Sequence, residues 1–528
     1  MRRAKALIGA LPFEFLTSEK ITLDYLNQAS PIRQVFPKHF KDLSIRKFSA
    51  NREKIVQRLL SYNTNLGAPE PVIQNIEALA QPETCAVITG QQPGLFSGPL
   101  YTIYKAITAI IICERLSDRG LSLVPIFWNA SEDHDLHEID HISIFKQNKP
   151  TEFVYKCEQE NVAFSHISAD KSELKRILKV VNDYSPDSEY KGPLLGKIDE
   201  IVDKSSNLGD LFSRFMLCLF GDLGLIMIEP DYLRDMMAPI FERLIRKPTE
   251  CTRIVTQTSS KLKGLGYSPK IHKMPNLCNF FILDDRGERL RVTYNGKFQV
   301  GKEAFSQEDL LRLLEENPAR FSSNAVIRPV TQDHVFPTFA YVSGPNEIAY
   351  QAQLRDVYDF FSVEMPLIFP RFGATVVEGK VSKVIEKYGI DIVELREPEK
   401  LLKRIAGEGL DHAFRAFEDK VAESIESVTD QVKAVDEIFA EPCLVAEARI
   451  LKAIGHMENK ILSELKKRDS VTRQQILKAH DNLFPKGGLQ ERHINVLEYL
   501  VKFGGRFLRV LHDDFSKAEF GEHRVIRC

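Results

Sequence analysis

From Cys85 onward the chain alternates short apolar runs with amphipathic stretches. Cys85-Ala86-Val87-Ile88-Thr89 is the first run and ends at Gly90; Leu121–Trp128 is the second and Leu223–Ile228 the third. Phe339–Val342 and Pro366–Phe369 are two more. Helical periodicity fills much of the space between them, starting at about Pro99. Short apolar runs without polar alternation fit strands buried on both faces, and their alternation with helices predicts a parallel sheet covered on each side. The pattern therefore predicts an α/β fold with a Rossmann-like core over about 85–150, 205–270 and 325–395. The acidic stretch after Trp128 is expected to open a helix.

Two segments interrupt this core, giving a core domain of 85–395 with insertions at about 151–204 and 271–324. The first is polar and mixed, with turns at Ser185-Pro186-Asp187 and Lys191-Gly192-Pro193. The second sets Phe280-Phe281-Ile282-Leu283, Leu290-Arg291-Val292 and Phe298-Gln299-Val300 around Asp285-Arg286-Gly287 and Asn295-Gly296, which predicts a β-meander. Residues 1–84 are helical and polar, with a break at Gly67-Ala68-Pro69; Arg2, Arg3 and Lys5 precede an apolar stretch that Pro12 and Glu14 interrupt, a structural segment and not a signal peptide. From Leu410, apolar residues fall at 414, 417, 421, 425, 428, 432, 435 and 439, a coiled-coil seam. Glu441-Pro442 should break it. Ile450, Ile454, Met457, Ile461 and Leu465 continue on a second helix. Residues 396–480 thus form a helical hairpin of the kind that makes dimers, or an ordinary amphipathic pair. Residues 481–528, with a helix over about Glu491–Val510, should dock back on the core.

Composition narrows the classes. A net charge of -2 gives no general attraction to nucleic acid or an anionic membrane. The run Ile103–Cys113 contains Lys105 and is too short to span a bilayer. Eight scattered cysteines form no CxxC pair, which argues against a zinc knuckle or a disulfide scaffold and for a reducing cytoplasm.

Three loops carry candidate chemistry. Thr89-Gly90-Gln91-Gln92-Pro93-Gly94-Leu95-Phe96-Ser97-Gly98-Pro99-Leu100-Tyr101 leaves a strand and enters a helix, with Lys105 about two turns in. Gly90, Gly94 and Gly98 allow a tight turn, Ser97 or Gly98 can cap the helix, and Pro99 suits its first position. Such a helix start, with Gln91, Gln92 and Tyr101 beside it, can hold phosphate or carboxylate oxygens; it also suits a purely structural turn. The second loop follows Trp128: Glu132-Asp133-His134-Asp135-Leu136-His137-Glu138. Acids beside a histidine can orient a general base or bind an ammonium group, although acids in a first helical turn also favour the dipole. On a helix, His134, His137, Glu138 and His141 would share one face, a spacing open to a divalent metal, but there is no HExxH. The third loop, Ser343-Gly344-Pro345-Asn346-Glu347-Ile348-Ala349-Tyr350, should sit on an adjacent strand and place Gly344, Glu347 and Tyr350 across a cleft from the first. Arg328 and Arg371 end apolar runs, where a guanidinium can take a carboxylate or phosphate or simply pair with a core acid. Asp231 is a weaker acid candidate. Lys380-Val381-Ser382-Lys383 has the form of the KMSK loop of class I aminoacyl-tRNA synthetases, but four charged-site letters on a helix carry no weight alone.

Thr89–Lys105 and Pro125–Ile139 together resemble the BshC family, and Phe321-Ser322-Ser323-Asn324, Arg328-Pro329, Gly344-Pro345, Glu347-Ile348, Tyr350 and Pro370-Arg371 fit the same pattern nearly end to end. His137 and His141 are outside that pattern. The resemblance implies a Rossmann core with two connective insertions, a C-terminal coiled coil that makes a homodimer, and a ligase joining the carboxyl group of L-cysteine to the amine of glucosaminyl-malate to form bacillithiol. Amide formation from a free carboxylate is uphill in water, so ATP is the expected activator, with no metal cluster. On this reading Glu132, Asp133, His134 and Asp135 are catalytic, His134 being the general base, while Lys105, Arg328 and Arg371 bind malate carboxylates or phosphate. Two other classes remain open: a metal-dependent hydrolase built on the acidic loop, and a non-catalytic scaffold for a nucleotide or thiol sugar.

Overall fold

The computed structural model describes residues 10–36, 38–41, 43, 51–159, 161–407, 411–468 and 470–528. Arg2, Arg3, Lys5 and Leu410 lie outside the described residues. The described residues form two compact units, one of residues 10–376 with Leu489–Ile526, the other of Val377–Gly488 with Arg527–Cys528.

The first unit is built on a five-stranded sheet: β1 (Cys85–Gln91), β2 (Leu123–Asn129), β3 (Ile226–Ile228), β4 (Thr338–Ser343) and β5 (Leu367–Pro370), in the order β5-β4-β1-β2-β3. Every neighbouring pair is parallel. The strands are buried almost residue for residue, which is why they lack polar alternation. Each fully buried Val, Ile or Phe contributes about 1.5–3 kcal/mol relative to exposure, so the sheet holds this unit together. Register brings the strand ends level: Gly90 pairs with Trp128, Val342 with Thr89, and Ser343 with Pro370. The loops after β1, β2, β4 and β5 therefore open on one rim.

Helix α1 (Leu100–Ser117) crosses from β1 to β2 and is buried along most of its length. Its N-cap position is Pro99, just past the Ser97 or Gly98 cap expected from the sequence, and no side chain caps it. The acidic loop does not open a helix. Residues 130–135 are irregular, a single 3-10 turn covers Leu136–Glu138, and a strand begins at His141. The Asp133 side chain accepts the His134 backbone N–H, an alternative to a helical turn. Ile142, Ile144 and their polar neighbours have the period of a strand, His141–Lys146, paired antiparallel with Lys149–Val154. His134, His137 and His141 accordingly share no helical face.

The second insertion is a five-stranded antiparallel sheet in the order Glu303–Phe305, Phe298–Val300, Arg289–Tyr294, Leu277–Leu283, Phe321–Ser323. Near the N-terminus, Arg52–Leu66 ends at Gly67, whose φ of 81° is the left-handed cap that glycine tolerates. The helix anticipated over Glu491–Val510 is two, Leu497–Phe503 and Arg506–Phe515, separated at Gly504 with φ 58°.

In the second unit α2 (Asp411–Lys433) packs on α3 (Ala440–Arg468). The chain turns before Glu441-Pro442, not at it, because proline is tolerated in the first turn of a helix. Gly379–Tyr388, which contains Lys380 and Lys383, is also a helix of this unit, so the unit begins ahead of residue 396. Among the described residues no helix is long and apolar enough to cross a membrane.

Candidate functional site

The strand rim opens on a cavity of about 650 Å³. Gly90, Gln91, Gln92, Tyr101 and Lys105 come from the first loop and α1; Trp128, Glu132, Asp133 and His134 from the end of β2; Arg328, Gly344, Glu347, Tyr350 and Arg371 from the last third of the sheet unit. Gly94, Ser97, Gly98 and Asp135 do not line it. Gly94 and Gly98 form a backbone corner in which a Cβ on Gly94 would meet the Gly98 Cα at 2.8 Å. Asn495 Nδ2 donates to the carbonyls of Leu95, Phe96 and Gly98, so this corner is structural.

Lys105 is the buried cation at the centre of the first loop, 2% exposed. Its Nζ donates to the Gly90 carbonyl at 2.8 Å and to Gln91 Oε1 at 3.0 Å, and pairs with Glu347 Oε2 at 2.5 Å. Burial lowers its pKa, against the pull of Glu347. Glu347 also accepts the Gly344 backbone N–H at 2.7 Å, so the third loop is tied to α1 through one carboxylate. Arg328 Nη2 donates to the Tyr341 hydroxyl at 3.2 Å and Nη1 to Gln332 Oε1 at 3.0 Å. Arg371 faces the cavity, but Glu491 holds it with two hydrogen bonds, at 2.5 and 3.1 Å, in a buried pair. Its charge is thus compensated from within the protein.

The acidic loop is held by two arginines absent from the sequence reading. Glu132 is buried; Oε2 accepts from Arg234 at 2.6 Å, Ser322 Oγ at 3.0 Å and the Ser323 N–H at 3.1 Å, and Oε1 from Ser323 Oγ at 2.7 Å. Burial works to raise its pKa, but Arg234 and Arg289 outweigh it and hold the carboxyl below its usual value. Asp133 Oδ1 accepts from Arg289 Nη1 at 3.1 Å and Oδ2 from Gln92 Nε2 at 3.0 Å. Burial is again outweighed, here by the charge of Arg289 and the hydrogen bonds from the His134 backbone N–H and Gln92, and Asp133 is held below the usual carboxylate range. A carboxyl so acidic is a poor proton acceptor. Burial raises the pKa of Glu138, which accepts from Gln92. Lys273, Arg289, Asn324 and Arg492 complete the lining. The Phe321–Asn324 stretch was a partial signal for this wall. Arg289 lay in the β-meander, with no local feature marking it.

Two family models cover the chain: the bacillithiol biosynthesis BshC N-terminal Rossmann-like domain over residues 10–372, and the BshC C-terminal coiled-coil domain over residues 374–528. The chain belongs to the BshC family. A relative from Salinibacter ruber is 32% identical over 548 residues, covering 99% of this chain and 98% of its own. One from Bacillus cereus strain G9842 is 32% identical over 536 residues, covering 96% of this chain and 98% of its own. Both bear the name "Putative cysteine ligase BshC". The Thermus thermophilus arginyl-tRNA synthetase overlays 87% of this chain and 84% of its own at 10% identity, with a TM-score of 0.19. BshC membership makes residues 10–372 of the sheet unit the Rossmann-like domain of a ligase family of bacillithiol biosynthesis, and the α2–α3 hairpin part of its coiled-coil domain.

Proposed function

We propose that this cavity joins the carboxyl group of L-cysteine to the amine of glucosaminyl-malate. The observation that carries the reading is the charge balance of the walls. Lys105, Arg289 and Arg371 each pair with a carboxylate, whereas Lys273, Arg328 and Arg492 line the same space with no carboxylate pairing described for them. Cations that line a cavity with no carboxylate at ion-pair distance favour anionic ligands, and a malate moiety with two carboxylates supplies them. Asp133 and Glu138, in the same lining, suit an amine or ammonium group. ATP would supply the activation that a free carboxylate lacks, and the same cations would hold its phosphates. The names of the relatives support cysteine as a substrate.

The hydrolase alternative loses two of its candidate ligands, because Glu132 and Asp133 are each already bound by an arginine. A homodimer belongs to the same reading: Phe417, Val428, Leu444, Ile450 and Met457 are exposed on the hairpin and offer an apolar surface. The test incubates the purified full chain with L-cysteine, ATP and glucosaminyl-malate and follows product mass and nucleotide products. A cysteine-bearing product that requires all three supports the reading. Absence of product, together with no binding of glucosaminyl-malate by calorimetry, would overturn it.

A further inference from the structure

We propose that Arg289 fixes His134 as a hydrogen-bond donor to an anionic oxygen of the substrate, through Nε2–H, in place of the general-base role expected from the sequence. The assignment of a substrate rests on the ligase reading above; the state of the imidazole does not. Arg289 Nη1 lies 2.9 Å from His134 Nδ1 in donor geometry. A guanidinium has no acceptor and does not deprotonate in a protein, so that contact exists only if Nδ1 offers a lone pair. Neutral imidazole has one donor and one acceptor nitrogen; with Nδ1 accepting, the proton resides on Nε2.

Asp133 Oδ1 lies 3.3 Å from the same Nδ1, and alone it would favour an Nδ1–H. The guanidinium decides against this, being closer, permanently charged and already satisfying Asp133 Oδ1 at 3.1 Å. A proton on Nδ1 would be driven into its N–H. Arg289 is also the better anchored group. Its side chain is 4% exposed, Nη2 donates to the Ser323 carbonyl at 2.6 Å, and the guanidinium lies 4.2 Å over the Phe281 ring. Phe281 also flanks the imidazole, with ring centroids 6.0 Å apart. His134 lines the cavity, and Nε2 has no hydrogen-bond partner among the described residues. The nitrogen left to the ligand therefore carries a hydrogen, and a ring in that state cannot accept a proton from an amine at that atom. Arg289 acts through the histidine and is a positioning residue.

The test has two arms. In the full chain labelled with ¹⁵N-histidine, the His134 signals, identified by their loss in His134→Gln, should show Nε2 protonated and Nδ1 bare at neutral pH. In Arg289→Met the proton should move to Nδ1, toward Asp133, with Arg289→Lys as a second variant should the first not fold. An Nδ1–H or an imidazolium in the wild type would overturn the proposal without reference to any variant or activity. In the ligase assay, glutamine can place an amide N–H where Nε2–H stood. His134→Gln should hold product formation within about tenfold of wild type while His134→Ala loses about 100-fold, the scale for deleting one donor to developing charge. Equal loss in both variants would overturn the donor role. If the wild type neither forms product nor binds glucosaminyl-malate, the ligase reading fails and the spectroscopic arm alone decides the state of His134.

Discussion

Glu229, at the end of β3, should make the sheet unit less stable as pH rises, and Glu229→Gln should remove that dependence. The carboxyl is 4% exposed, and Oε1 accepts the Tyr62 hydroxyl at 2.5 Å. Unlike Glu132, it has no arginine. A Cβ on Gly209 would lie 2.6 Å from Oε2, so the helix Leu208–Phe220 excludes water on that side. Burial, the largest influence, pushes Glu229 from 4.5 up to about 7. In the unfolded chain the group titrates near 4.3. Between about 4.3 and about 7 the folded state keeps a proton that the unfolded state has released, so unfolding free energy falls as pH rises through that window. The whole interval is worth about 3.7 kcal/mol at about 1.36 kcal/mol per pH unit, and about 2.5 kcal/mol of it falls between about pH 5 and pH 8. Glutamine keeps the shape and stays neutral. The assay is equilibrium urea unfolding at several pH values, followed by the fluorescence of Trp128, the chain's only tryptophan, buried in β2 of the same unit. Other titrating groups cancel in the difference between the two proteins. The stability of Glu229→Gln relative to wild type should rise by about 2.5 kcal/mol from about pH 5 to pH 8. Parallel pH profiles would refute the argument from burial.

Glu132→Ala should cost about 3–5 kcal/mol in the same unfolding assay, because it leaves the buried Arg234 with Asp231 alone. Gly90→Ala should lower stability by about 1–3 kcal/mol, seen as a lower Tm, since the added Cβ would sit 2.8 Å from the Trp128 carbonyl oxygen, a backbone atom that cannot swing away. Lys105→Met should reduce product formation about 100-fold or more, measured by product mass, with near-UV circular dichroism checking the fold.

The five strands, their parallel order and the pairing of the first and third loops across adjacent strands were legible because buried strands write themselves as unbroken apolar runs. The loops after them named most of the cavity's walls. The acidic loop was misjudged as helical, since Glu132 and Asp133 resemble a first helical turn until Arg234 and Arg289 are seen gripping them. Those arginines were invisible for a physical reason: Arg289 acts on His134 from 155 residues away, and only tertiary packing creates the contact. Arg371 was found, but its partner Glu491, 120 residues on, turned an apparent substrate clamp into a compensated pair. The loop corner at Gly94 and Gly98 looked like a ligand cradle, and its true occupant, the amide of Asn495, is equally remote in sequence.

The involvement of Asn495 and Glu491 has a bearing on how the chain matures. Both belong to the stretch that returns to the sheet after Val377–Gly488 of the second unit have been made. At a ribosomal pace of about 5–20 residues per second, the strands emerge many seconds before the residues that close their rim. During that interval Arg371 is without its carboxylate and the Leu95–Gly98 carbonyls are without their amide, so a nascent or prematurely terminated chain carries an open, unneutralised pocket. Completion of translation itself is the step that seals the chamber.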